Sequence, residues 1–401
     1  MRTILNVPLI AFGGGAAMAL AMGLARYAYT PILPHMVTGA GLSTEGSGYL
    51  ATLNFIGYLL ATMWPIFARK LGFAPGPKTT LRWCMLAALI TTGAMGLTTS
   101  FAWWAVLRFV SGMISVLIMV YATAIVLDAL ARLNAGAGAG VHYGGVGCGI
   151  VLSGMMVALF ETWHWGWREM WFGTAALIAL LMPLVFLTVT TRSAPGAPRP
   201  DTAPVAQGAR QVNTWRGGAA WLVASYALTG VGFIVSGTFL PLIAKQQPQL
   251  AAYAAFSWML LGLASIPSNV LWARVAQRIG PTRALIVLYG LQAAGVALPV
   301  FSNAPWALLA SGFMIGGTFM GIVTVANAEA RNLAPHRTAE MVAIMTAAYS
   351  VGQIVGPPLA GELAVRSGNF NQGLLIASGA LLLGIVLLLV GARQRARISQ
   401  G

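Results

Sequence analysis

Long apolar runs separated by short polar loops are the dominant feature of this 401-residue sequence. A helix needs about 20 mostly apolar residues to cross the hydrocarbon core of a bilayer. Breaks at polar and Pro/Gly clusters give twelve such runs: 6–34, 47–68, 80–99, 102–127, 141–161, 169–190, 218–243, 251–273, 283–301, 304–328, 340–363 and 372–391. They predict an all-α membrane protein with twelve transmembrane helices. The alternating ten-residue segments typical of a membrane β-barrel do not occur.

The basic residues indicate which ends of these helices face the cytoplasm. If the N-terminus lies in the cytoplasm, 18 of the 23 Lys and Arg residues fall on the cytoplasmic side, and three, Arg168, Lys245 and Arg366, fall outside. Basic residues accumulate in the cytoplasmic loops of membrane proteins. We therefore predict that both termini are cytoplasmic and that the protein resides in the inner or plasma membrane. The net charge of +15 reflects this topology, so no nucleic-acid partner is expected.

An internal repeat divides the chain into two halves. Residues 69–72 (RKLG) parallel residues 277–280 (QRIG), and Leu33-Pro34 parallels Leu240-Pro241 at nearly the same offset. Residues 191–217 contain four prolines and four arginines without apolar periodicity. The pattern predicts two pseudo-symmetric six-helix bundles, 1–190 and 218–401, joined by a cytoplasmic linker. Parallel repeats of this kind are typical of alternating-access carriers.

Several short motifs resemble the major facilitator superfamily. They are Arg108-Phe-Val-Ser-Gly112 in span 4, the glycine-rich stretch 145–149 in span 5, and Gly166-Trp167-Arg168 before span 6. The segment 23–34 (GLARYAYTPILP), with Gly41-Leu-Ser43 and Gly57-Tyr58 after it, is similar to the YbfB/YjiJ-like subfamily. The resemblance implies the major facilitator fold and secondary transport. It also implies that spans 3, 6, 9 and 12 are peripheral while the other eight line a central cavity.

Two arginines, Arg26 and Arg108, lie at membrane depth, whereas the carboxylates lie at the ends of the spans. Burying one arginine costs about 2.5 kcal/mol or more, so each needs a partner or a water-filled cavity. An anionic substrate would supply the missing charge, because guanidinium presents a planar fork to carboxylate or phosphate. The resemblance leaves a second interpretation open, in which Arg108 is a structural arginine bonded to backbone carbonyls and water.

Polar and aromatic residues at helical spacing share single faces of spans 1, 8 and 11. Such a face predicts a transport pathway, and a helix–helix interface is the open alternative. Together with polar residues of the other cavity-lining spans, they give the predicted substrate-binding set: Arg26, Tyr27, Tyr29, Asn54, Arg108, Ser236, Trp258, Asn269, Tyr349 and Gln353.

Charged residues at the cytoplasmic ends of the spans predict an inner gate. The predicted gating residues are Arg69, Lys70, Asp128, Arg132, Arg274, Arg278, Glu329 and Arg331. In the outward-open state, Asp128 is expected to pair with Arg69 or Lys70, and Glu329 with Arg274 or Arg278. Alternating access requires contacts that form in one state only.

The remaining reactive residues do not indicate a catalytic or metal site. Cys84 and Cys148 lie in apolar runs without metal-site or redox spacing and are expected to be buried thiols. The four histidines, His142 among them, lie near span ends and are expected to be solvated. No catalytic motif is present, so we expect neither an enzyme nor a bound cofactor or metal.

These features predict a monomeric secondary transporter that moves a small organic anion across the bilayer. Anion exchange, uniport or symport of a protonated acid is favoured over carboxylate-driven antiport of cationic drugs, because no carboxylate lies at membrane depth. Efflux of amphiphilic drugs or metabolites remains an alternative. A non-transporting receptor or assembly subunit remains an alternative from another class.

Overall fold

Residues 2–62, 64, 76–190 and 218–398 are described by a computed structural model, except for the side chains of residues 2–6, 339 and 398. All regular secondary structure in these ranges is helical. The predicted gating residues Arg69 and Lys70 and the predicted linker 191–217 lie outside the described residues. The N-half, as we call the helices before the linker, contains α1 (Arg2–Met18), α2 (Tyr29–Ala40), α3 (Thr44–Thr62), α4 (Pro77–Met95), α5 (Phe101–Arg132), α6 (Gly138–Thr162) and α7 (Trp167–Val185). The C-half contains α8 (Ala219–Lys245), α9 (Ala254–Ile279), α10 (Pro281–Phe301), α11 (Pro305–Leu333), α12 (Thr338–Ser367) and α13 (Asn371–Ile398).

Ten helical stretches in the described part of the chain are long and apolar enough to cross a membrane. Each coincides with a predicted span, and the first of them, Val7–Ala40, contains most of α1 and all of α2. The other two predicted spans, 47–68 and 80–99, coincide with α3 and α4, whose first turns are polar. The all-helical membrane architecture is therefore confirmed, and the count of twelve spans stays a prediction.

Four helices make their substantial contacts only within their own half. These helices are α4 and α7 in the N-half and α10 and α13 in the C-half, which correspond to spans 3, 6, 9 and 12. The two halves meet through α6 and α9, α3 and α12, and α2 and α8. These four are the helices that the resemblance implies to be peripheral.

The glycines of α6 allow it to pack closely against both halves. A Cβ atom on Gly145 would lie 2.0 Å from the carbonyl oxygen of Gly15 in α1, and one on Gly147 would lie 2.5 Å from that of Gly262 in α9. No side chain fits in these spaces. The glycine run in span 5 is therefore a close-packing surface.

The expectations for His142 and Cys148 are wrong, and His35 is less exposed than expected. His142 is completely buried, and its Nε2 lies 2.9 Å from Thr123 Oγ1. The imidazole packs toward Gly14, where a Cβ atom would lie 2.7 Å from Nδ1, so the absent side chain leaves space for it. His35 is only about a fifth exposed, because it contacts Glu161. Of the two cysteines, Cys84 is buried as expected but Cys148 is exposed on the surface of the helix bundle.

Candidate substrate cavity

A cavity of about 590 Å³ lies between the two halves. Its walls come from the first span and from α3, α5, α6, α8, α11 and α12. The resemblance also implied span 8, but α9 contributes no residue to the lining. It extends from Arg26 and Gln353 along α11 to Asn327 and Arg331, and the side chain of Arg331 is exposed. The cavity therefore opens at the end of the bundle that carries Arg331, which we call the arginine end. The volume is in the range of typical small-molecule sites.

A break in the first span positions Arg26. The amide nitrogens of Ala25 and Tyr27 donate to the carbonyl oxygens of Leu20 and Met22, 2.9 and 3.0 Å away, which is the wide i→i+5 pattern of a π-helix. Such segments are frequently found at functional sites. Pro31 has no N–H to donate to the Tyr27 carbonyl, so the helix restarts irregularly at α2. The break interrupts the helix and places Arg26 beside the cavity.

Arg26 is a buried guanidinium with incomplete hydrogen bonding. It is 2% exposed, and its Nη2 donates to Gln353 Oε1 at 3.1 Å. Its guanidinium carbon lies 4.0 Å from the ring centre of Tyr58 and 4.6 Å from that of Phe55. Among the described residues, its Nε has no hydrogen-bond partner and no carboxylate forms an ion pair with it. Aromatic faces stabilise a cation without neutralising it, so the site retains a positive charge.

Arg108 lies behind Arg26 and does not line the cavity. Its Nη1 is 3.3 Å from the carbonyl oxygen of Arg26, and its guanidinium carbon is 4.4 Å from the ring centre of Tyr29. Ser111 Oγ donates to the neighbouring carbonyl of Ala25 at 2.8 Å, and Asn54 Nδ2 donates to the carbonyl of Arg108 at 2.9 Å. The bonds from Arg108 and Ser111 satisfy the carbonyl groups of Arg26 and Ala25 at the break in the first span, and the bond from Asn54 fixes α3 against α5. The geometry favours the interpretation of Arg108 as a structural arginine.

An aromatic cluster closes the cavity on the side of Arg26 away from Arg331. Its members are Tyr27, Phe233, Trp258 and Phe319. The Tyr27 ring centre lies 6.3 Å from those of Phe233 and Phe319 in edge-to-face contacts, and the latter two rings stack at 4.1 Å. Tyr27 comes from the N-half and the other three from the C-half, so the cluster bridges the halves.

Beyond the aromatic cluster, polar contacts between the halves continue to the far end of the bundle. Thr30 Oγ1 donates to the carbonyl of Gly237 at 2.7 Å, and Thr52 Oγ1 donates to that of Ile354 at 2.9 Å. At the end itself, Glu161 Oε1 lies 2.8 Å from both His35 Nε2 and Lys245 Nζ. The sequence revealed no partner for Lys245, because the ion pair joins residues from different halves. We call this region the closed end.

The structure brings together only part of the predicted substrate-binding set. Arg26, Tyr27, Tyr349 and Gln353 line the cavity. The other six, Tyr29, Asn54, Arg108, Ser236, Trp258 and Asn269, are buried in helix contacts outside its lining. Cavity-lining residues absent from the predicted set include Met18, Met22, Tyr58, Met119, Thr123, Tyr143, Tyr226, Phe319, Met320, Thr324, Asn327 and Thr346. Most are apolar or aromatic, and such side chains face lipid and cavities alike, so polarity could not identify them.

The charges at the arginine end form local pairs in this conformation. Asp128 pairs with Arg132 on the surface of α5 at 3.0 Å. Glu329, which is 3% exposed, pairs with Arg395 and accepts a hydrogen bond from Thr282 Oγ1 at 2.7 Å. It does not pair with Arg274 or Arg278 in this conformation. Because this end is open, the predicted pairs of the closed gate remain a prediction. In the described ranges, no cluster of His, Cys, Asp or Glu side chains is placed to hold a metal ion.

Comparison with known proteins links this arrangement to transport. The sequence model of one family, described as "Uncharacterised MFS-type transporter YbfB", matches residues 18–389. The "Uncharacterized MFS-type transporter YceJ" of Bacillus subtilis is 24% identical over 87% of this chain and 88% of its own length. The "Gentisate transporter" of Corynebacterium glutamicum is 24% identical over 87% of this chain and 80% of its own length.

Solved structures share the fold. The crystal structure of the nucleoside transporter NupG superposes with a TM-score of 0.68 over 98% of this chain and 99% of that chain. The crystal structure of a point mutant of NupG gives a TM-score of 0.72 over 95% of this chain and 99% of that chain. Both are 14% identical in sequence, so the similarity concerns the fold alone.

Proposed function

Because this chain belongs to the YbfB-like family of major facilitator superfamily transporters, we propose that it carries small organic anions across the inner or plasma membrane by alternating access. The observation that carries the choice of substrate is the unneutralised guanidinium of Arg26 at the inner limit of the cavity. It is buried, half of its hydrogen-bonding edge is unused, and no carboxylate of the described residues pairs with it. A carboxylate would provide both the charge and the acceptor atoms.

The walls of the cavity support an aromatic carboxylate in particular. Tyr58, Tyr143, Tyr226 and Tyr349 line it, and the rings of Tyr226 and Tyr349 stack at 4.9 Å. Aromatic rings provide flat apolar surfaces with polar edges, which suit a planar substrate that bears hydroxyl groups. The name of the gentisate transporter among the relatives agrees with this choice, since gentisate is an aromatic carboxylate.

The positions of the open and closed ends support alternating access. With the predicted topology of twelve spans and cytoplasmic termini, the arginine end faces the cytoplasm and the structure is inward-facing. Transport would then require the contacts of the closed end to separate while the arginine end closes. The two halves of parallel-repeat carriers rock around a central site in this way.

Efflux of amphiphilic compounds is the second candidate function. Four methionines, Met18, Met22, Met119 and Met320, line the cavity. Flexible thioether side chains adapt to ligands of different shape and are common on promiscuous binding surfaces. This candidate predicts that lipophilic cations bind better than carboxylates. The positive charge of Arg26 disfavours the binding of cations.

A ligand screen on the purified protein tests the proposal. Small carboxylates including gentisate, inorganic phosphate and lipophilic cations are compared by thermal shift, and any hit is measured by counterflow in proteoliposomes. We expect carboxylates to stabilise the protein most. Arg26→Gln should weaken carboxylate binding about 10- to 150-fold, because hydrogen bonds to charged groups contribute about 1.5–3 kcal/mol.

The matched control is Arg397→Gln, which removes an exposed arginine at the end of α13 and should leave carboxylate affinity unchanged. Strongest stabilisation by a lipophilic cation would contradict anion transport and support the second candidate. Unchanged carboxylate affinity in Arg26→Gln would show that Arg26 does not bind the substrate.

A further inference from the structure

The hydrogen bond between Arg26 and Gln353 joins the two halves at the inner limit of the cavity. Arg26 belongs to the N-half and Gln353 to α12 of the C-half, and the donor and acceptor atoms are 3.1 Å apart. Both residues line the cavity and both are 2% exposed. The bond therefore lies where the open cavity meets the contacts of the closed end.

Gln353 occupies part of the edge of Arg26 that a carboxylate would use. The Nε and Nη2 atoms of a guanidinium form one side-on fork, to which the two oxygens of a carboxylate bind in parallel. In Arg26, Nη2 donates to Gln353 Oε1, while Nε has no partner among the described residues. A single amide oxygen thus occupies one of the two donor atoms, Nη2, on this edge of the guanidinium. A carboxylate that accepts hydrogen bonds from both Nε and Nη2 must displace the Gln353 oxygen.

We propose that Gln353 is a tethered competitor that holds Arg26 in the empty carrier, and that the substrate's carboxylate replaces it on the Nε/Nη2 edge. This inference rests on the proposed function. Binding of the anion then removes a hydrogen bond between the halves and frees the Gln353 amide. A ligand shifts a conformational equilibrium only through contacts that differ between the two states. The exchange of partners at Arg26 supplies such a difference in the centre of the molecule.

Two substitutions of opposite sign follow from this competition. Gln353→Leu removes the competing oxygen and keeps a similar volume, so gentisate should bind about tenfold more tightly. Gln353→Glu places a tethered carboxylate beside Arg26, so gentisate should bind at least about tenfold more weakly. A residue that merely packs the helix would not shift the affinity in opposite directions.

Gln292→Leu is the matched control. Gln292 is another buried glutamine of the C-half, on α10, and it does not line the cavity. Its replacement should leave gentisate affinity unchanged. Affinities are measured by isothermal titration calorimetry on detergent-purified wild type and variants, with thermal unfolding as the check on folding.

The outcomes separate this inference from the function on which it rests. If the wild type binds no carboxylate of the panel, the proposed function and this inference both fail. If the wild type binds gentisate and Gln353→Leu binds it equally or more weakly, only the inference fails, because Gln353 is then a bystander or a direct ligand. If Gln353→Leu does not fold, the Gln353→Glu variant still decides: affinity equal to the wild type overturns the competition.

Discussion

Replacing Glu161 by Gln should favour opening of the closed end, which in the predicted topology is a shift from the inward-facing toward the outward-facing state. Glu161 on α6 contacts Lys245 of the C-half and His35 of its own half, both at 2.8 Å. The three side chains are between 21% and 26% exposed, so this pair is more shielded than a surface ion pair. The expected contribution of this ion pair to the stability of the closed end lies between two values: about 0.2–1 kcal/mol for an exposed pair and about 3–5 kcal/mol for breaking a buried pair. We take about 1.5 kcal/mol, which changes the population ratio about tenfold.

Labelling of a single cysteine at position 236 measures this shift. Ser236 is completely buried on α8, next to Gly237, whose carbonyl accepts the hydrogen bond from Thr30. In a background without Cys84 and Cys148, Ser236→Cys should react slowly with a membrane-impermeant maleimide added outside. Glu161→Gln should accelerate this reaction about tenfold, because exposure of the site requires the closed end to open.

Lys245→Met provides an independent test of the same pair. It should accelerate labelling to a similar extent, and the double variant should not exceed the single variants by the full second increment, because both remove one interaction. Unchanged labelling in Glu161→Gln and Lys245→Met would refute the reasoning that this ion pair stabilises the closed end. Glu362→Gln, which breaks an exposed pair within α12, is the control and should leave the rate unaltered.

Two further predictions concern stability, measured as thermal unfolding in detergent. Gly145→Ala should destabilise the protein by about 1–3 kcal/mol, because its Cβ would lie 2.0 Å from a carbonyl oxygen of α1. Gly379→Ala is the control and should be neutral or stabilising, because no neighbouring atom would lie within 4 Å of its Cβ. Equal effects of the two substitutions would contradict the close-packing interpretation. Glu329→Gln should lower the free energy of unfolding by more than about 1 kcal/mol, because Glu329 is 3% exposed and pairs with Arg395. Glu340→Gln breaks a half-exposed ion pair and should lower it by less than about 1 kcal/mol. The reverse order would contradict the role of burial.

The lengths of the apolar runs predicted the helical architecture because the thickness of the hydrocarbon core sets the length of a span. Polarity at depth identified Arg26 and Gln353, because strongly polar groups in hydrocarbon need a partner or water. The same rule selected Asn54 and Asn269, whose amides make bonds within or between helices instead. Polarity alone does not separate these two environments. Polarity did not identify Tyr58 as a cavity residue, since aromatic side chains also contact lipid.

Details that depend on tertiary contacts were also beyond the sequence. The burial of His142 depends on the missing side chain of Gly14 on another helix. The pairing of Glu329 with Arg395 depends on the approach of α13 to α11. The π segment that positions Arg26 arises within an apolar run, and Gly23 and Pro31 were its only local indications.

The two halves contribute different chemistry to the cavity, although the sequence repeat predicts that they are related. The offset of 207 residues that relates Leu33-Pro34 to Leu240-Pro241 also relates Arg26 to Phe233. One half thus presents a guanidinium where the other presents a ring of the aromatic cluster. If the N-half fixes the charged group of the substrate, the C-half can move relative to it once the hydrogen bond from Arg26 to Gln353 is lost. In the proposed alternating-access cycle, this asymmetry would allow the substrate to stay bound to one half while the other half changes its contacts.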